Sequence, residues 1–154
     1  MVRKVLLLLM IMFSIACNYA FAANWHWCAS NADKGIFFDE ESVRYSRFST
    51  TKSMIDYDKI TFWAKIVLDD AYSYKHPFNG RYVSAVVEYE CIDIRSRQIL
   101  SIETILYDKK NNRIAQSKRN EGWKNVVPDS MDEVLFRHVK NYVQNHKKVV
   151  EGRS

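Results

Sequence analysis

The alternation of hydrophobic and polar residues predicts an antiparallel sheet with a long hairpin at its centre. Two strands joined by the polar turn Arg95-Ser96-Arg97 span residues 81–108. Successive side chains on a strand point to opposite faces. One face of the first strand is therefore predicted to carry Val83, Ala85, Val87, Tyr89 and Cys91. One face of the return strand is predicted to carry Leu100, Ile102, Thr104 and Leu106. A hairpin this long and half-apolar needs a cover, so we expect it in the middle of the sheet.

Shorter stretches of the same kind surround the hairpin. Residues 59–68 alternate cleanly, and this pattern places Ile60, Phe62 and Ala64 inside the protein. Further short strands are predicted at residues 24–30, 35–39, 42–45 and 113–117.

The last part of the chain predicts one long helix. Ser130 and Glu133 follow Pro128 and form an S-x-x-E capping box, which is typical of a helix start. Apolar and aromatic side chains then recur at helical spacing, at Met131, Val134, Leu135, His138, Val139, Tyr142 and Val143. The sequence therefore predicts an α+β domain, with an antiparallel β-sheet of about six strands and a long C-terminal α-helix packed on one face.

The first 22 residues predict export. Arg3 and Lys4 precede an apolar run that is too short to span a bilayer, and the run ends in Ala20-Phe21-Ala22. This order is typical of a secretory signal peptide. We expect cleavage near Ala22, which leaves a single domain over residues 23–154 in the periplasm or on the cell surface.

A lipoprotein is the alternative. Cys17 follows Ser14-Ile15-Ala16, and lipidation at this cysteine would attach the protein to a membrane. Without lipidation we expect no membrane association.

The net charge and the cysteine content narrow the possible classes of protein further. The chain has a net charge of +5, and loss of Arg3 and Lys4 with the signal peptide lowers it by two. So small an excess of positive charge does not indicate a nucleic-acid-binding protein. Cleavage also leaves Cys28 and Cys91 as a pair in an oxidising compartment. The two either form a disulfide or remain buried thiols on separate strands.

Patterns for catalysis and metal binding are weak. Glu88 and Glu90 share a strand face and could act together in acid–base hydrolysis, but the alternation favours a solvated sheet face. Metal-binding spacing is missing among the histidines, which are His26, His76, His138 and His146. We therefore expect no catalytic site, metal or cofactor, with a hydrolase that uses Glu88 or Glu90 as the minor alternative.

The segment 69–80 carries the candidate binding site. Pro77 and Asn79-Gly80 predict a loop. Tyrosines with basic neighbours on a loop are typical of binding hot spots. The residues predicted to bind a host or envelope protein are Tyr72, Tyr74, Lys75, His76, Phe78 and Arg81. In the alternative interpretation, the aromatic side chains fold back over the edge of the sheet.

A second apolar patch lies on the flank of the predicted helix. It consists of Phe136, Val139, Val143 and Val150. These side chains form either a contact for a partner, including a second copy of the chain, or part of a wide core face.

Three features, in this order, resemble the bacterial surface-adhesin protein E-like family of small exported domains. The first is Trp25 followed by Phe-Phe-Asp-Glu-Glu-Ser-Val at residues 37–43. The second is Glu-Tyr-Glu-Cys at residues 88–91, followed by the arginine-bearing turn. The third is the Trp-x-x-Val-x-Pro-x-Ser pattern that begins at Trp123 and leads into the helix.

The resemblance implies an envelope protein that acts as a binding or adhesin-like module. It implies an antiparallel sheet with a C-terminal helix packed on it, and adhesion to host matrix proteins is attached to the family's namesake. In the family, the mid-sheet cysteine commonly bonds a cysteine near the chain end. This chain has no cysteine after Cys91. Either Cys28 has taken the partner role, or packing alone holds the helix. A soluble periplasmic domain without an adhesive role remains the alternative.

Overall fold

The computed structural model describes residues 23–47, 54–118 and 122–154. The predicted signal peptide and the alternative lipidation site at Cys17 lie outside the described residues. The strands are β1 (Trp25–Ser30), β2 (Lys34–Asp39), β3 (Arg44–Arg47), β4 (Ile55–Leu68), β5 (Tyr74–Lys75), β6 (Tyr82–Val83), β7 (Ala85–Asp93), β8 (Gln98–Tyr107), β9 (Arg113–Lys118) and β10 (Lys124–Asn125). The helices are α1 (Met131–Asn145) and α2 (Lys147–Gly152).

The strands form one large antiparallel sheet and one small ribbon. In the described part of the chain, the large sheet has eight strands in the order β1-β2-β4-β7-β8-β10, and β3 and β9 pair with β4 and β8. The ribbon consists of β5 and β6. This architecture confirms the predicted α+β class with a C-terminal helix on the sheet, although the sheet has more strands than the six expected.

The pairing of β4 with β7 determines which face of the sheet becomes the core. Ile60 lies opposite Ile92, and Phe62 lies opposite Glu90. Ile60, Phe62 and Ala64 are buried, as predicted. Directly opposed residues of antiparallel strands lie on the same face. Glu90 therefore lies on the face that the helix covers, and the expectation of a solvated position is wrong for this glutamate.

A β-bulge in β8 changes the faces predicted for the return strand. Tyr89 pairs with Glu103, but the next residue, Glu90, pairs with Ser101, so Ile102 is an extra residue. An extra residue shifts the alternation of side chains by one position. Leu100 therefore lies opposite Cys91, on the face away from the helix.

The start of α1 is fixed to the turn between β7 and β8. The Ser130 hydroxyl accepts a hydrogen bond of 3.2 Å from the Glu133 backbone N–H. The Glu133 carboxylate accepts 2.8 Å and 2.7 Å bonds from the Asp129 N–H and the Arg97 guanidinium. These two bonds lower the pKa of Glu133.

From this start, α1 crosses the sheet diagonally towards β1 and β2. The rings of His138 and His26 are 5.9 Å apart, and those of Tyr142 and Phe38 are 5.6 Å apart. No helix in the described ranges is long and apolar enough to cross a membrane.

The flank of the helix belongs to the core. Its residues and their exposed fractions are Phe136 at 4%, Val139 at 0%, Val143 at 3% and Val150 at 0%. Of the two interpretations of this patch, the structure supports the wide core face, because these side chains are buried in the core.

The two cysteines are free and buried. Cys28 lies on β1 and Cys91 on β7, with β2 and β4 between them. Neighbouring strands are about 4.8 Å apart, so the two Cα atoms are about 14 Å apart across the sheet alone. A disulfide requires less than about 7 Å. The structure therefore corrects the expectation of a Cys28–Cys91 disulfide.

Polar contacts of the last residues hold α2 against β3 and the turn before it. The Arg153 guanidinium donates a 2.7 Å bond to the Glu40 carbonyl and pairs with the Glu41 carboxylate at 2.8 Å. The Ser154 hydroxyl accepts a 2.7 Å bond from the Tyr45 backbone N–H. Together with buried Val150, these contacts hold the end of the helical region on the sheet without a disulfide.

Loss of these polar contacts should destabilise the domain. We expect the double variant Arg153→Ala, Ser154→Ala to lower the free energy of unfolding by about 3 kcal/mol, since it removes the three bonds named above and each costs about 1 kcal/mol. Urea denaturation followed by circular dichroism measures the difference. Arg137→Ala, on the exposed side of α1, is the matched control and should leave stability nearly unchanged. Equal midpoints for the two variants would contradict this role.

The cysteines should be unreactive in the folded protein. Burial raises the pKa of both the Cys28 and the Cys91 thiols to about 12. Because the thiolate is the reactive species, iodoacetamide at pH 8 should modify neither in the native state and both in denaturant. Mass spectrometry of the digested protein locates the label. A Cys28–Cys91 cross-linked peptide in the unreduced digest is the result that this structure forbids.

Candidate functional site

The predicted binding loop is an ordered ribbon. Tyr74 pairs with Val83, and Lys75 pairs with Tyr82. The tip is closed by a 2.9 Å bond from the Gly80 N–H to the His76 carbonyl. Gly80 has a φ of 67°, a left-handed conformation that glycine adopts without strain. We name residues 72–83 the aromatic hairpin.

Arg81 fixes the aromatic hairpin to the turn between β8 and β9. Its guanidinium pairs with the Asp108 carboxylate and donates a 3.3 Å bond to the Arg113 carbonyl. The Asp108 carboxylate also accepts bonds from Asn112 and from the Lys110 N–H. The side-chain bond from Asn112, followed by further hydrogen bonds that include the one from Arg81, lowers the pKa of Asp108 to about 2. Arg81 is thus an anchor of the hairpin, and its predicted binding role stays a prediction.

The aromatic side chains of the hairpin are exposed. The exposed fraction is 92% for Phe78, 58% for Tyr82, 51% for Tyr72 and 45% for Tyr74. This differs from the alternative in which these rings fold back over the sheet. Lys75 lies over the Tyr82 ring, 5.9 Å from its centroid. Tyr82 was missed as a candidate because the sequence pattern assigned it to the central hairpin, although it follows the Asn79-Gly80 turn.

A cavity of about 540 Å³, which we name the inner cavity, lies between the aromatic hairpin and the sheet. Its wall on the hairpin side is formed by Tyr74, His76 and Phe78. Its floor is formed by side chains of β7, β8 and β9, among them Val86, Glu88, Ser101, Thr104, Leu106, Ala115 and Ser117. These floor positions are on the helix side of the sheet, where the diagonal course of α1 leaves the surface uncovered.

The two glutamates of β7 have different environments. The Glu88 Oε1 accepts bonds of 3.2 Å from the Ser101 hydroxyl and 3.1 Å from the Thr104 hydroxyl, and Glu88 lines the inner cavity. Glu90 is buried and does not line it. Burial, and then the negative charges of Glu88 and Asp132, raise the pKa of Glu90 well above its ordinary value. One charged carboxylate therefore faces the cavity.

A second cavity, also of about 540 Å³, lies on the other side of the aromatic hairpin. Arg81 and Tyr82 form part of its lining. Asp70 and Lys109 form a 2.7 Å ion pair at its edge. The hairpin therefore has accessible surface on both sides.

The histidines outside the aromatic hairpin lie on β1 and on or next to α1. His26 contacts the Glu40 carboxylate at 2.9 Å, and the His146 ring stacks on Tyr142 at 4.4 Å. Burial, and then the positive charges of His26 and Arg137, lower the pKa of His138. Within the described ranges, no three His, Cys, Asp or Glu side chains are placed to hold a metal ion.

The attachment of the hairpin should weaken only in strong acid. Because the folded pKa of Asp108 is about 2 and its ordinary value is 3.8, the stabilisation by its carboxylate is complete above about pH 4. It should be lost as the pH falls towards 2. NMR titration of the Lys110 and Asn112 amide signals should therefore give a midpoint near 2 rather than 3.8. In the control variant Asp108→Asn, this transition should be missing. A midpoint near 3.8 would show that the hydrogen bonds do not hold the turn.

The comparisons with known proteins concern the fold. No protein-family model and no curated protein matches the sequence. Two solved structures of Haemophilus influenzae protein E each cover 82% of this chain at 18% identity, with TM-scores of 0.54 and 0.55 and with 89% and 91% of their own chains matched. Protein E from non-typeable Haemophilus influenzae covers 84% of this chain and 82% of its own, at 17% identity and a TM-score of 0.51. The chain therefore has a fold similar to that of protein E.

Proposed function

We propose that this protein is an exported, non-enzymatic binding module of the bacterial envelope, which captures a host or envelope protein through its aromatic hairpin. The observation that carries the proposal is the exposure of four aromatic side chains on one short, anchored ribbon, namely Tyr72, Tyr74, Phe78 and Tyr82.

Binding through the aromatic hairpin should cost little conformational entropy. Tyrosine and phenylalanine offer a large contact area with few rotatable bonds, so little entropy is lost when a partner covers them. The bonds of Arg81 to Asp108 and to the Arg113 carbonyl hold the ribbon before a partner arrives. A preorganised ribbon avoids part of the ordering cost of association.

The adhesin-like part of the proposal has two supports. The sequence motifs resemble the surface-adhesin protein E-like family, and the fold is similar to that of Haemophilus influenzae protein E. The signal-peptide pattern of residues 1–22 supports export to the periplasm or the cell surface. A soluble periplasmic domain would use the same hairpin on a partner inside the envelope.

The hydrolase alternative finds less support in the arrangement of the glutamates. Acid–base hydrolysis of this kind needs two carboxyl groups that both reach the substrate. Glu88 lines the inner cavity, whereas Glu90 lies outside its lining and beneath the helix. We therefore propose a binding role for this face of the sheet.

Removal of the hairpin's aromatic side chains tests the proposal. In the triple variant Tyr72→Ser, Tyr74→Ser, Phe78→Ser, we expect at least tenfold weaker binding to the captured partner, since aromatic hot spots dominate interface energies. The melting temperature should change little because the three side chains are exposed. Biolayer interferometry against purified host matrix proteins and envelope proteins measures the affinity.

A matched control uses exposed aromatic side chains elsewhere. Trp27 on β1 is 56% exposed and Tyr57 on β4 is 52% exposed. The double variant Trp27→Ser, Tyr57→Ser should bind like the unaltered protein. If the control loses as much affinity as the hairpin variant, or if the hairpin variant binds normally, the hairpin is not the binding surface.

A further inference from the structure

Two cross-strand rows of side chains form the floor of the inner cavity. The register of β7, β8 and β9 produces an apolar row, Val86, Leu106 and Ala115. It also produces a polar row, Glu88, Thr104 and Ser117. The floor therefore combines an apolar strip with a carboxylate that has hydroxyl groups around it.

Among the described residues, only one of the two oxygens of the Glu88 carboxylate accepts hydrogen bonds. Its Oε1 accepts hydrogen bonds from Ser101 and Thr104. Among the described residues, its Oε2 accepts none, and Glu88 takes part in no ion pair. A carboxylate has lone pairs for about four hydrogen bonds, so Oε2 remains an acceptor in a cavity with room for a ligand.

The aromatic rings of the hairpin wall suit a cation. Tyr74 and Phe78 bring aromatic rings to the cavity, and the faces of such rings attract ammonium and guanidinium groups. His76 lines the same wall, and its Nδ1 is buried without a hydrogen-bond partner among the described residues. A buried polar atom in this state is costly.

We propose that the inner cavity is a binding site for a primary ammonium or guanidinium group on an apolar stem. The cation pairs with Glu88 and lies against the aromatic wall, and the stem covers the apolar row. Such a group belongs either to a free amine or to a lysine or arginine side chain of a polypeptide. The inference goes beyond the capture of a protein by the outer surface of the hairpin, because small probes report on the cavity without any protein partner.

The Glu88 carboxylate favours a cation over an anion at the position beside it. Glu88 faces the cavity, and Glu90, two residues along the same face, is a further carboxyl group whose pKa is raised partly by Glu88. Lys124 also lines the cavity, and it has an interaction of its own. A cation beside the Glu88 carboxylate is attracted by its charge, whereas an anion there is repelled.

NMR titration of the isotope-labelled protein tests the proposal. The probes are n-butylamine, Nα-acetyl-lysine amide and Nα-acetyl-arginine amide, with 1-butanol as the neutral control and butyrate as the anionic control. The cationic probes should shift the amide signals of Val86, Glu88 and Ser117. Glu88→Gln keeps the shape and the hydroxyl bonds but removes the charge, and it should weaken cation binding at least tenfold.

Glu103→Gln is the matched control for the charge change. Glu103 pairs with Tyr89, so it lies on the opposite face of the sheet from Glu88. This variant should bind the cationic probes normally. Unchanged binding in Glu88→Gln would overturn the proposal. Equal binding of 1-butanol, or binding of butyrate that Lys124→Gln abolishes, would overturn it as well.

The relative affinities of the probes separate the two sources of the cation. Tighter binding of the acetylated amino-acid amides than of n-butylamine would assign the site to a polypeptide side chain. Tighter binding of n-butylamine would assign it to a free amine. Both results describe probe binding in the cavity. They would therefore hold even if the serine variants of the hairpin captured a protein partner as well as the unaltered protein does.

Discussion

The pairing of β4 with β7 is the constraint on which the rest of the structure depends. It places Phe62 beside Glu90 and Ala64 beside Glu88, so the face that β4 buries under the helix is also the face that carries the glutamates. A shift by one residue would turn every side chain of β7 to the other face. The helix would then meet Tyr89 and Cys91, and the inner cavity would lose its carboxylate.

The attachment of the helix shows how a small domain holds its second layer without a covalent link. At its start, Glu133 ties α1 to Arg97 in the turn between β7 and β8. Near the end of the chain, Arg153 and Ser154 bind the backbone of Glu40 and Tyr45. Between these two ends the apolar side chains of the helix fill the core. Polar attachments at the start of α1 and after α2, with packing between them, hold the helical region on the sheet.

The sequence predicted those features that one element determines by itself. The alternation in β4 and the cap at Ser130 were sufficient to place the core face of that strand and the start of α1. The faces of β7 could not be predicted, because apolar residues occur on both sides and only the pairing partner decides. The bulge at Ile102 could not be predicted either, because it too depends on how β8 pairs with β7. The attachment of the hairpin could not be predicted either, because Arg81 pairs with Asp108, which is far away in the sequence.

The same geometry explains why two glutamates on one strand face have different roles. The helix begins above Glu90 and leaves the sheet uncovered at Glu88, where the aromatic hairpin forms a wall instead. A charged carboxylate without a partner is costly to bury, so burial raises the pKa of Glu90 well above its ordinary value. Glu88 stays accessible and is held by Ser101 and Thr104. The two hydroxyl groups restrain the carboxylate and leave its second oxygen as an acceptor, and restraint of this kind is what the proposed cation site would need.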